Sequence, residues 1–538
     1  MTPSTSTVVN IHPLAPPATA RPPIERQATT STTVQAAMRL HADDNLLVAR
    51  RPLAVGTAVD GFAFVTQDDI PPGHKFAART LHQGETIVEQ GQAIGRAAST
   101  IEAGARLHAG NVVALEPRDA DTVRNVGPAL SLLPTDQRAS FNGFLRDNGS
   151  VGTRNYIIIV CTVNCAATTS RRIADHFTAK RLAAYPNVDG VIPLVHEIGC
   201  GMEMSGEPME LLRRTIAGHV RSPNVGGALI VALGCERNHV HGLMEQEKLT
   251  TNDSLKTLVM QENGGTRKTI DAGIAAIEAI LPVANRVQRQ PLGAQHLKVG
   301  LQCDGAEGFT ALAANPALGI AADLLVRNGA TVVLSRTSEV FGAVDSLVAR
   351  AATPKVGQQL VGRIDWWLAY SQGRDTSINA RPTAAGSPGA IINRRESAVG
   401  QIAMAGTSML NEVVEYARPI SGPGLVFMDT PSDNAISVTG QIAGGVNLVC
   451  MTTGRGSTFG SLPAPTVKLS ASTPLYLQLE DDMDLNCGPV IDGEATVQQM
   501  GQEIFERLLR HASGELTKSE EIGLGENEFV PWPIGVTS

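Results

Sequence analysis

Short apolar runs alternate with amphipathic segments through the middle of the chain, and each run stops at a polar or glycine-rich turn. Runs of strand length and composition lie at 156–162, 188–196, 228–233 and 255–261. Strands that alternate with helices favour a parallel sheet, because each parallel pair needs a crossover connection. The pattern therefore predicts a Rossmann-like α/β region over residues 141–290.

A second series of the same kind follows. Its apolar runs end at polar or glycine residues and lie at 298–303, 330–335, 425–428 and 446–451. Helical segments separate them, so we predict a second parallel-sheet α/β region over residues 291–538.

The N-terminal part has a different pattern. Residues 35–115 contain short strand-like runs between glycine and proline turns, which predicts a small all-β domain. Residues 1–34 are rich in Thr, Ser, Pro and Ala, and we predict a disordered tail because they cannot bury enough apolar surface. Residues 116–140 lack periodicity and contain three prolines, which predicts a linker.

Composition narrows the function classes. The chain is 43% hydrophobic and 18% charged, as in soluble globular proteins, and has no apolar run long enough to cross a bilayer. A net charge of −8 argues against a nucleic-acid or anionic-membrane partner. Seven cysteines in 538 residues do not suggest a disulfide framework, and no secretory signal pattern is present. We expect a cytoplasmic enzyme that forms a homo-oligomer.

Three equally spaced cysteines follow predicted strands of the first α/β region. They are Cys165, Cys200 and Cys235, with His196 and Glu236 beside them. Ligands bind outside the carboxyl ends of parallel strands, so these side chains are predicted to form a metal site. Thiolate and imidazole ligands favour iron, zinc or an iron–sulfur cluster over magnesium or calcium. The alternative is that the cysteines are small buried apolar residues.

Basic residues also lie in turns near predicted strand ends, namely Arg154, Arg267, Lys268 and Arg455. Arginine pairs well with carboxylates, and the Gly-Gly turn before Thr266 leads into a predicted helix whose free N–H groups suit an anion. These residues are candidates for binding an acidic small molecule. The alternative is ordinary solvated surface charge.

Two loops of the all-β domain carry further candidates, at 41–45 (HADDN) and 73–75 (GHK). Functional residues concentrate in loops. The alternative is ordinary turn chemistry, in which Asp and Asn cap backbone groups.

A series of motifs in fixed order resembles the altronate/galactarate dehydratase family. They are GFLRDNGSVGTRNY, VNCAA, HEIGCGM, ALGCE, GGTRKTIDAG, MDTPSDNAISVTGQIAGG, MTTGRGSTFG and FVPWPIG. The HADDN and GHK loops resemble that family's small all-β module, a SAF-type, β-clip-like domain. The resemblance covers about 41–115 and 141–538.

The resemblance implies a metal-assisted hydro-lyase that converts a small-molecule sugar acid, a hexonate or hexarate such as altronate or galactarate, to its 2-keto-3-deoxy acid. It implies iron, as Fe²⁺ or an iron–sulfur cluster, with another divalent metal as an alternative. The implied catalytic residues are His41, Asp44, Asn45, His74 and Lys75, with the roles of acid and base left open. The implied substrate-binding residues are Arg154, Asn164, Thr266, Arg267, Lys268 and Arg455. The implied metal ligands are Cys165, His196, Cys200, Cys235 and Glu236.

Three segments depart from the family's pattern, at 303–311, 336–345 and 386–391. Serines of the first are replaced, the second has Arg336 in place of a glutamate and lacks an acidic–histidine pair at 344–345, and the third lacks a lysine. We infer a changed substrate, with loss of activity as the less favoured outcome. Two further hypotheses stay open. One is a related lyase that expels a different β-group, such as sulfite from sulfolactate, and the second is a non-catalytic sugar-acid-binding protein.

Overall fold

The N-terminal module, residues 36–115, is a small all-β domain, which confirms the prediction from its short strands and turns. Its strands are β1 (Ala37–Met38), β2 (Leu46–Ala49), β3 (Lys75–Ala77), β4 (Thr86–Glu89), β5 (Gln92–Ala97) and β6 (Val112–Ala114). They form two antiparallel sheets, β1-β2-β3 and β4-β5-β6. Side chains alternate along a strand, so Leu47 packs in the module's own core while Leu46 and Val48 face outward into a larger core.

The fold is seen in a computed structural model, which describes residues 36–115, 131–304, 308–373 and 391–534. The predicted tail at 1–34 and residues 116–130 of the predicted linker lie outside these ranges. Within them, no helix is long and apolar enough to cross a membrane.

The first α/β region contains a four-stranded parallel sheet and a smaller antiparallel one. The strands of the region are β7 (Ser140–Leu145), β8 (Val151–Gly152), β9 (Tyr156–Cys161), β10 (Gly190–Leu194), β11 (Val225–Ala232), β12 (Leu255–Val259) and β13 (Arg289–Gly293). The parallel sheet has the order β10-β9-β11-β12, and β13-β7-β8 form an antiparallel sheet beside it. Its helices are α1 (Ala167–Ala174), α2 (Ala179–Leu182), α3 (Glu207–Val220), α4 (Val240–Gln246) and α5 (Thr266–Ala284).

Helices cover both faces of this sheet, which is why its strands are continuous apolar runs. Ile157 and Ile159 of β9 pack with residues of α1 and α5 on one face. Ile158 and Val160 pack with residues of α3 and α4 on the other.

The second α/β region contains a seven-stranded parallel sheet. Its strands are β14 (Lys298–Asp304), β15 (Thr331–Leu334), β16 (Leu410–Val414), β17 (Gly424–Met428), β18 (Leu448–Thr453), β19 (Thr466–Ser470) and β20 (Leu485–Asn486), in the order β16-β17-β15-β14-β18-β19-β20. Its helices are α6 (Asn315–Arg327), α7 (Thr337–Val340), α8 (Val344–Ala349), α9 (Pro354–Ser371), α10 (Arg394–Ala403), α11 (Asn434–Ala443), α12 (Thr473–Gln478), α13 (Pro489–Asp492), α14 (Val497–Ala512) and α15 (Lys518–Glu521). This architecture confirms the predicted α/β class.

The module packs against the second α/β region at the carboxyl end of β14. Leu46 and Val48 share one apolar core with Leu301 and Cys303 of that strand. A hydrogen bond adds to this interface, because Gln90 Nε2 donates to Ala311 O at 2.8 Å. The predicted catalytic loops therefore lie beside the second sheet.

Candidate active site

The carboxyl ends of β9, β10 and β11 lie on one edge of the first sheet, and hydrogen bonds join the turns that follow them. The backbone N–H of Asn238 donates to Gly199 O at 3.1 Å, and its Nδ2 donates to Thr162 O at 3.0 Å. The N–H of Asn164 donates to Ile198 O at 3.2 Å. We refer to these segments as the cysteine turns: 162–166, 196–200 and 233–238.

The approach of two cysteine turns requires glycine at position 199. Gly199 has a φ of 110°, and a Cβ there would lie 2.3 Å from Thr162 O. This close approach brings Cys200 and Cys165 onto neighbouring turns, with Cys235 on the third. All three cysteines are exposed and free of disulfides. They are therefore not the buried apolar residues of the alternative interpretation.

His196 is buried at the base of the cysteine turns, and both of its ring nitrogens already have partners. Nε2 lies 3.0 Å from Cys161 O, which can only accept, so Nε2 carries the proton. Nδ1 accepts the N–H of Ile198 at 3.3 Å. Burial lowers the pKa of His196 to about 4, so the ring is neutral at pH 7. In this arrangement both ring nitrogens are engaged by the protein, and the role of His196 as a metal ligand stays a prediction.

Glu236 is also buried and braces the cysteine turns. Its Oε1 accepts the hydroxyl of Thr162 at 2.7 Å, and its Oε2 accepts the N–H of Gly234 at 2.6 Å. Each carboxylate oxygen thus accepts one hydrogen bond from the protein and keeps a further lone pair. Glu236 holds two turns together, and its role as a metal ligand stays a prediction.

A single metal ion does not fit the predicted ligand set. Within the described ranges, no three His, Cys, Asp or Glu side chains are grouped so that they could hold an ion. The three exposed thiols fit a different group. In an iron–sulfur cluster the cysteine thiolates bind separate irons, so they need not approach one another as the ligands of one ion do. Three separate thiols are compatible with a cluster, and bound iron stays a prediction.

An exposed, positively charged helix N-terminus lies at the same edge of the sheet. Helix α5 begins at Thr266 without a side-chain cap, so its first N–H groups are open to an anion and its dipole end is positive. Thr266, Arg267 and Lys268 are all exposed. The turn before α5 contacts a cysteine turn, because a Cβ on Gly234 would lie 2.7 Å from Gln261 Oε1.

Asn164 is exposed on the first cysteine turn, next to Cys165. Together with the α5 N-terminus it gives this edge both amide and cationic donors. Four predicted substrate-binding residues, Asn164, Thr266, Arg267 and Lys268, thus lie at the edge that carries the three cysteines.

Arg154 lies elsewhere and is fully buried. Its Nε and one Nη donate to both oxygens of Glu520 at 2.7 Å, forming a bidentate pair. Its three other N–H groups donate to carbonyls of Thr153, His511 and Glu515 at 2.8–3.0 Å. All five donors are used, so Arg154 holds α14 and α15 against the first region. These contacts favour a structural role, and the predicted role of Arg154 in substrate binding stays untested.

A buried cluster of charged residues lies at the interface between the module and the second α/β region. Lys75, Glu89 and Glu396 are each at most 3% exposed. Lys75 Nζ forms a close ion pair with Glu396 Oε1 and lies 3.8 Å from Glu89 Oε1. Both oxygens of Glu89 are buried without a hydrogen-bond partner. Burial raises the pKa of Glu89 to about 8, although Lys75 opposes the shift.

Asp44 and Asn45 are buried and organise the module's backbone. Asp44 accepts the N–H groups of His41 and Gly91, each at 2.9 Å. Asn45 donates to Thr86 O at 2.8 Å and accepts the N–H of Val88 at 2.9 Å, which ties β4 to the loop. For these two residues the contacts match the turn-chemistry alternative.

The three remaining predicted residues differ in exposure. The His41 side chain is half exposed, with Asp43 Oδ2 3.6 Å from its Nδ1. His74 is buried, 9% exposed, in the turn before β3. Arg455 is exposed in the turn after β18, at the carboxyl edge of the second sheet.

The segment 336–345, which departs from the family pattern, lies close to the interface between the N-terminal module and the second α/β region. Arg336 has a left-handed φ of 70°, and its guanidinium donates to Cys303 O and to Glu339 Oε1. Asp345 binds Arg395 through both oxygens at 2.8–2.9 Å, and Arg395 in turn donates to Ala93 O of the module. The changed positions thus support the module. Residues 305–307 and 386–390 of the other departures lie outside the described ranges.

Comparisons with known proteins decide the family. The model of the altronate/galactarate dehydratase SAF domain matches residues 35–115, that of the D-galactarate dehydratase/altronate hydrolase second domain matches 143–285, and that of the D-galactarate/altronate dehydratase C-terminal domain matches 294–537. Galactarate dehydratase (L-threo-forming) of Escherichia coli is 32% identical over 515 residues, 93% of this chain and 97% of the relative. The chain belongs to the altronate/galactarate dehydratase family.

Two other relatives extend this result. Altronate dehydratase of Bacillus subtilis is 29% identical over 488 residues, 90% of this chain and 96% of the relative. The (2R)-sulfolactate sulfo-lyase subunit beta of Chromohalobacter salexigens is 28% identical over 394 residues, 73% of this chain and 96% of the relative. As a member of the altronate/galactarate dehydratase family, the protein is an enzyme of the hydro-lyase class.

Sequence reasoning missed Glu89 and Glu396 in this family member. Glu89 ends a short apolar strand, and Glu396 opens α10 with its backbone N–H bonded to Asn393 Oδ1 at 3.0 Å. Neither position stands out from ordinary strand-end and helix-start chemistry. Only the packing of the module reveals the cluster they form with Lys75.

Proposed function

We propose that the protein dehydrates a sugar acid, a hexonate or hexarate such as altronate or galactarate, to its 2-keto-3-deoxy acid with the help of iron. One observation carries the proposal: three exposed thiols and an uncapped, cationic helix N-terminus share one edge of the first sheet. Membership of the dehydratase family supports the reaction class.

The reaction removes a proton from C2 and hydroxide from C3, which leave as water, and the enol that remains tautomerises to the 2-keto acid. Arg267 and Lys268 hold the substrate carboxylate, and the first N–H groups of α5 add to this binding. The carboxylate acidifies the C2 proton when its charge is neutralised by these donors. Lewis-acid help for the departing C3 hydroxyl is the chemistry that iron held by the three cysteines supplies.

Proton transfer is assigned to His41 within this proposal. The supporting observation is exposure, because the His41 side chain is 50% exposed whereas Asp44, His74 and Lys75 are buried. The imidazole of histidine is the commonest general base in proton transfer. A His41→Asn variant that keeps full turnover would remove this assignment and leave the iron site untouched.

Anaerobic purification followed by iron and acid-labile sulfide analysis tests the proposal, together with keto-acid formation from a panel of hexonates and hexarates. We expect bound iron, sulfide and turnover of at least one sugar acid. Cys200→Ser should lose most of the iron and its visible absorption, whereas Cys487→Ala, at a buried cysteine, should keep both. Full iron and activity in Cys200→Ser would contradict the cysteine site.

A second candidate is a lyase that expels sulfite from a sulfonated hydroxy acid. The observation that favours it is the similarity to a sulfolactate sulfo-lyase subunit over 73% of this chain. Adding sulfolactate to the panel and measuring released sulfite distinguishes the two. Sulfite without keto-acid formation from sugar acids would favour this candidate. Binding of a sugar acid without turnover would instead indicate a binding protein.

A further inference from the structure

A cleft opens between the two α/β regions at the amino ends of their strands, opposite the edge that carries the cysteines. Its lining includes Lys298, the first residue of β14, Asn447, just before β18, and Pro223, just before β11. The cavity volume is about 780 Å³, within the range of small-molecule sites. Nothing in the proposed dehydration uses this cleft.

Cationic side chains outnumber acidic ones in the lining. The basic residues are Arg214, Arg221, Lys298 and Arg418, and the acidic ones are Glu210 and Glu247. Arg221 lies 3.7 Å from Glu247, so this pair is neutral. Among the other charged residues of the lining, Arg214, Lys298 and Arg418 are basic and Glu210 is acidic, and Glu415 outside the lining contacts both arginines. This surplus contrasts with the net charge of −8 for the whole chain.

The two other arginines share one carboxylate behind the lining. Glu415 lies 3.3 Å from Arg418 and 3.8 Å from Arg214, and Arg363 also approaches it, at 3.5 Å. Arg214 Nε is buried without a hydrogen-bond partner. Burial, followed by repulsion from Arg418, lowers the pKa of Arg214, and Glu415, Glu247 and Glu210 offset only part of this shift. The guanidinium therefore keeps one buried N–H that lacks an acceptor.

The positive charge of Lys298 is likewise only partly balanced by acidic groups. Its Nζ donates to Ile420 O at 2.8 Å, a neutral partner. Burial lowers its pKa, with partial compensation from Glu412. Space remains beside the ammonium because Gly445 has no side chain, and a Cβ there would lie 3.6 Å from Lys298 Nζ.

The backbone just before Arg418 is in a rarely adopted conformation. Ala417 is left-handed, with a φ of 58°, and lies between Glu415 and Arg418 in the segment that also supplies Ile420 O. Non-glycine residues in this region cost free energy and concentrate at functional sites. The strained turn brings Arg418 and Lys298 to the same stretch of the cleft.

We propose that this cleft binds a small oxyanion carrying two or more negative charges, either a phosphorylated metabolite or a polycarboxylate. Arginine forks and a lysine ammonium recognise both groups. Arg214 comes from the first α/β region and Lys298 and Arg418 come from the second, so the anion holds the two regions together. A ligand that binds only the folded protein raises its unfolding temperature.

Isothermal titration calorimetry and thermal unfolding test the proposal at fixed ionic strength, with inorganic phosphate and tricarballylate as probes and potassium chloride as the reference salt. We expect saturable binding of at least one probe and a matching rise in the unfolding midpoint. Binding of phosphate alone indicates the phosphorylated class, and binding of tricarballylate alone indicates the polycarboxylate class. If neither probe binds more tightly than chloride, the proposal is overturned.

Variants locate the binding. Arg418→Gln and Lys298→Met should each weaken it at least fivefold. Arg510→Gln is a matched control, because Arg510 and Arg418 are 52% and 53% exposed and each lies near a glutamate, at 3.5 and 3.3 Å. The control should bind as the unmodified protein does. If all variants bind the anions equally, the anions bind outside this cleft, for example at bound iron, and the proposal is overturned. The test does not use turnover, so it stands apart from the proposed function.

Discussion

The ammonium of Lys75 lies 3.8 Å from Glu89 Oε1 while it is paired with Glu396, so one buried cation serves two buried carboxyl groups. Burial lowers the pKa of Lys75, but the two carboxylates offset this and raise it overall. Two carboxylates cannot both ionise cheaply beside one cation in a buried site. Glu89, with a pKa raised to about 8, is the one that keeps its proton at neutral pH.

A pH-dependent stability difference follows from this cluster. The pKa of Glu89 rises from 4.5 to about 8 on folding, so its contribution to stability is complete below pH 4.5 and is lost as the pH rises to 8. The loss is at most about 1.4 kcal/mol per pH unit. Glu89→Gln should therefore gain stability relative to the unmodified protein across this window and level off above it, as measured by urea unfolding. Glu102→Gln, exposed in the same module, is the control, and parallel profiles for all three proteins would contradict the protonated state.

Removing the cation should be more damaging than removing the whole ion pair. Lys75→Met leaves Glu396 buried without its partner, which costs about 3–5 kcal/mol of unfolding free energy. In the double variant Lys75→Met, Glu396→Gln no charge is left unpaired, so part of this loss should be recovered. Urea denaturation of the four proteins gives the coupling energy. Additive losses would show that the two side chains do not act as a pair.

The strands of the first sheet could be predicted because they are buried on both faces and therefore form unbroken apolar runs. In the second sheet, the runs that became β14, β15, β17 and β18 were visible for the same reason. The strands β16, β19 and β20 were missed. β16 and β20 are edge strands with polar residues, and β19 contains Lys468, whose Nζ is buried and donates to Ser457 O at 3.0 Å.

Local sequence patterns also predicted only some of the residues of the candidate site. Cys165, Cys200 and Cys235 were found because each follows a strand of the same parallel sheet. The partners of Lys75 and Arg154 were not, because Glu396 and Glu520 lie 321 and 366 residues away in the chain. His196 and Glu236 occupy strand-end positions like the cysteines, but their polar atoms bond neighbouring turns. The position of a residue at a strand end thus predicts where its side chain lies. Its hydrogen-bond partners, which the sequence does not show, decide what the side chain does.

Arg154 should behave as a structural residue. Arg154→Gln leaves Glu520 buried without its bidentate partner, and we expect a loss of about 3–5 kcal/mol in unfolding free energy. The KM of any residual activity should change little, because none of the five guanidinium donors faces substrate. Arg267→Gln is the comparison, since it is exposed and should raise KM with little effect on the unfolding temperature. A raised KM with unchanged stability for Arg154→Gln would support the role predicted from sequence.

Thiol titration should separate the seven cysteines into two classes. Cys165, Cys200 and Cys235 are exposed, and the other four are buried. Burial raises the pKa of Cys161 to about 11 and also raises those of Cys303, Cys450 and Cys487, which suppresses their reactive thiolates.

In iron-free native protein, a disulfide reagent should therefore react rapidly with three thiols, and with all seven only after denaturation. Anaerobic reconstitution with iron and sulfide should protect those three, because thiolates bound to a cluster are unavailable for exchange. Cys200→Ser should leave two fast thiols in the iron-free protein and lose protection of both after reconstitution. Protection of Cys165 and Cys235 in that variant would show that the three cysteines do not serve one centre.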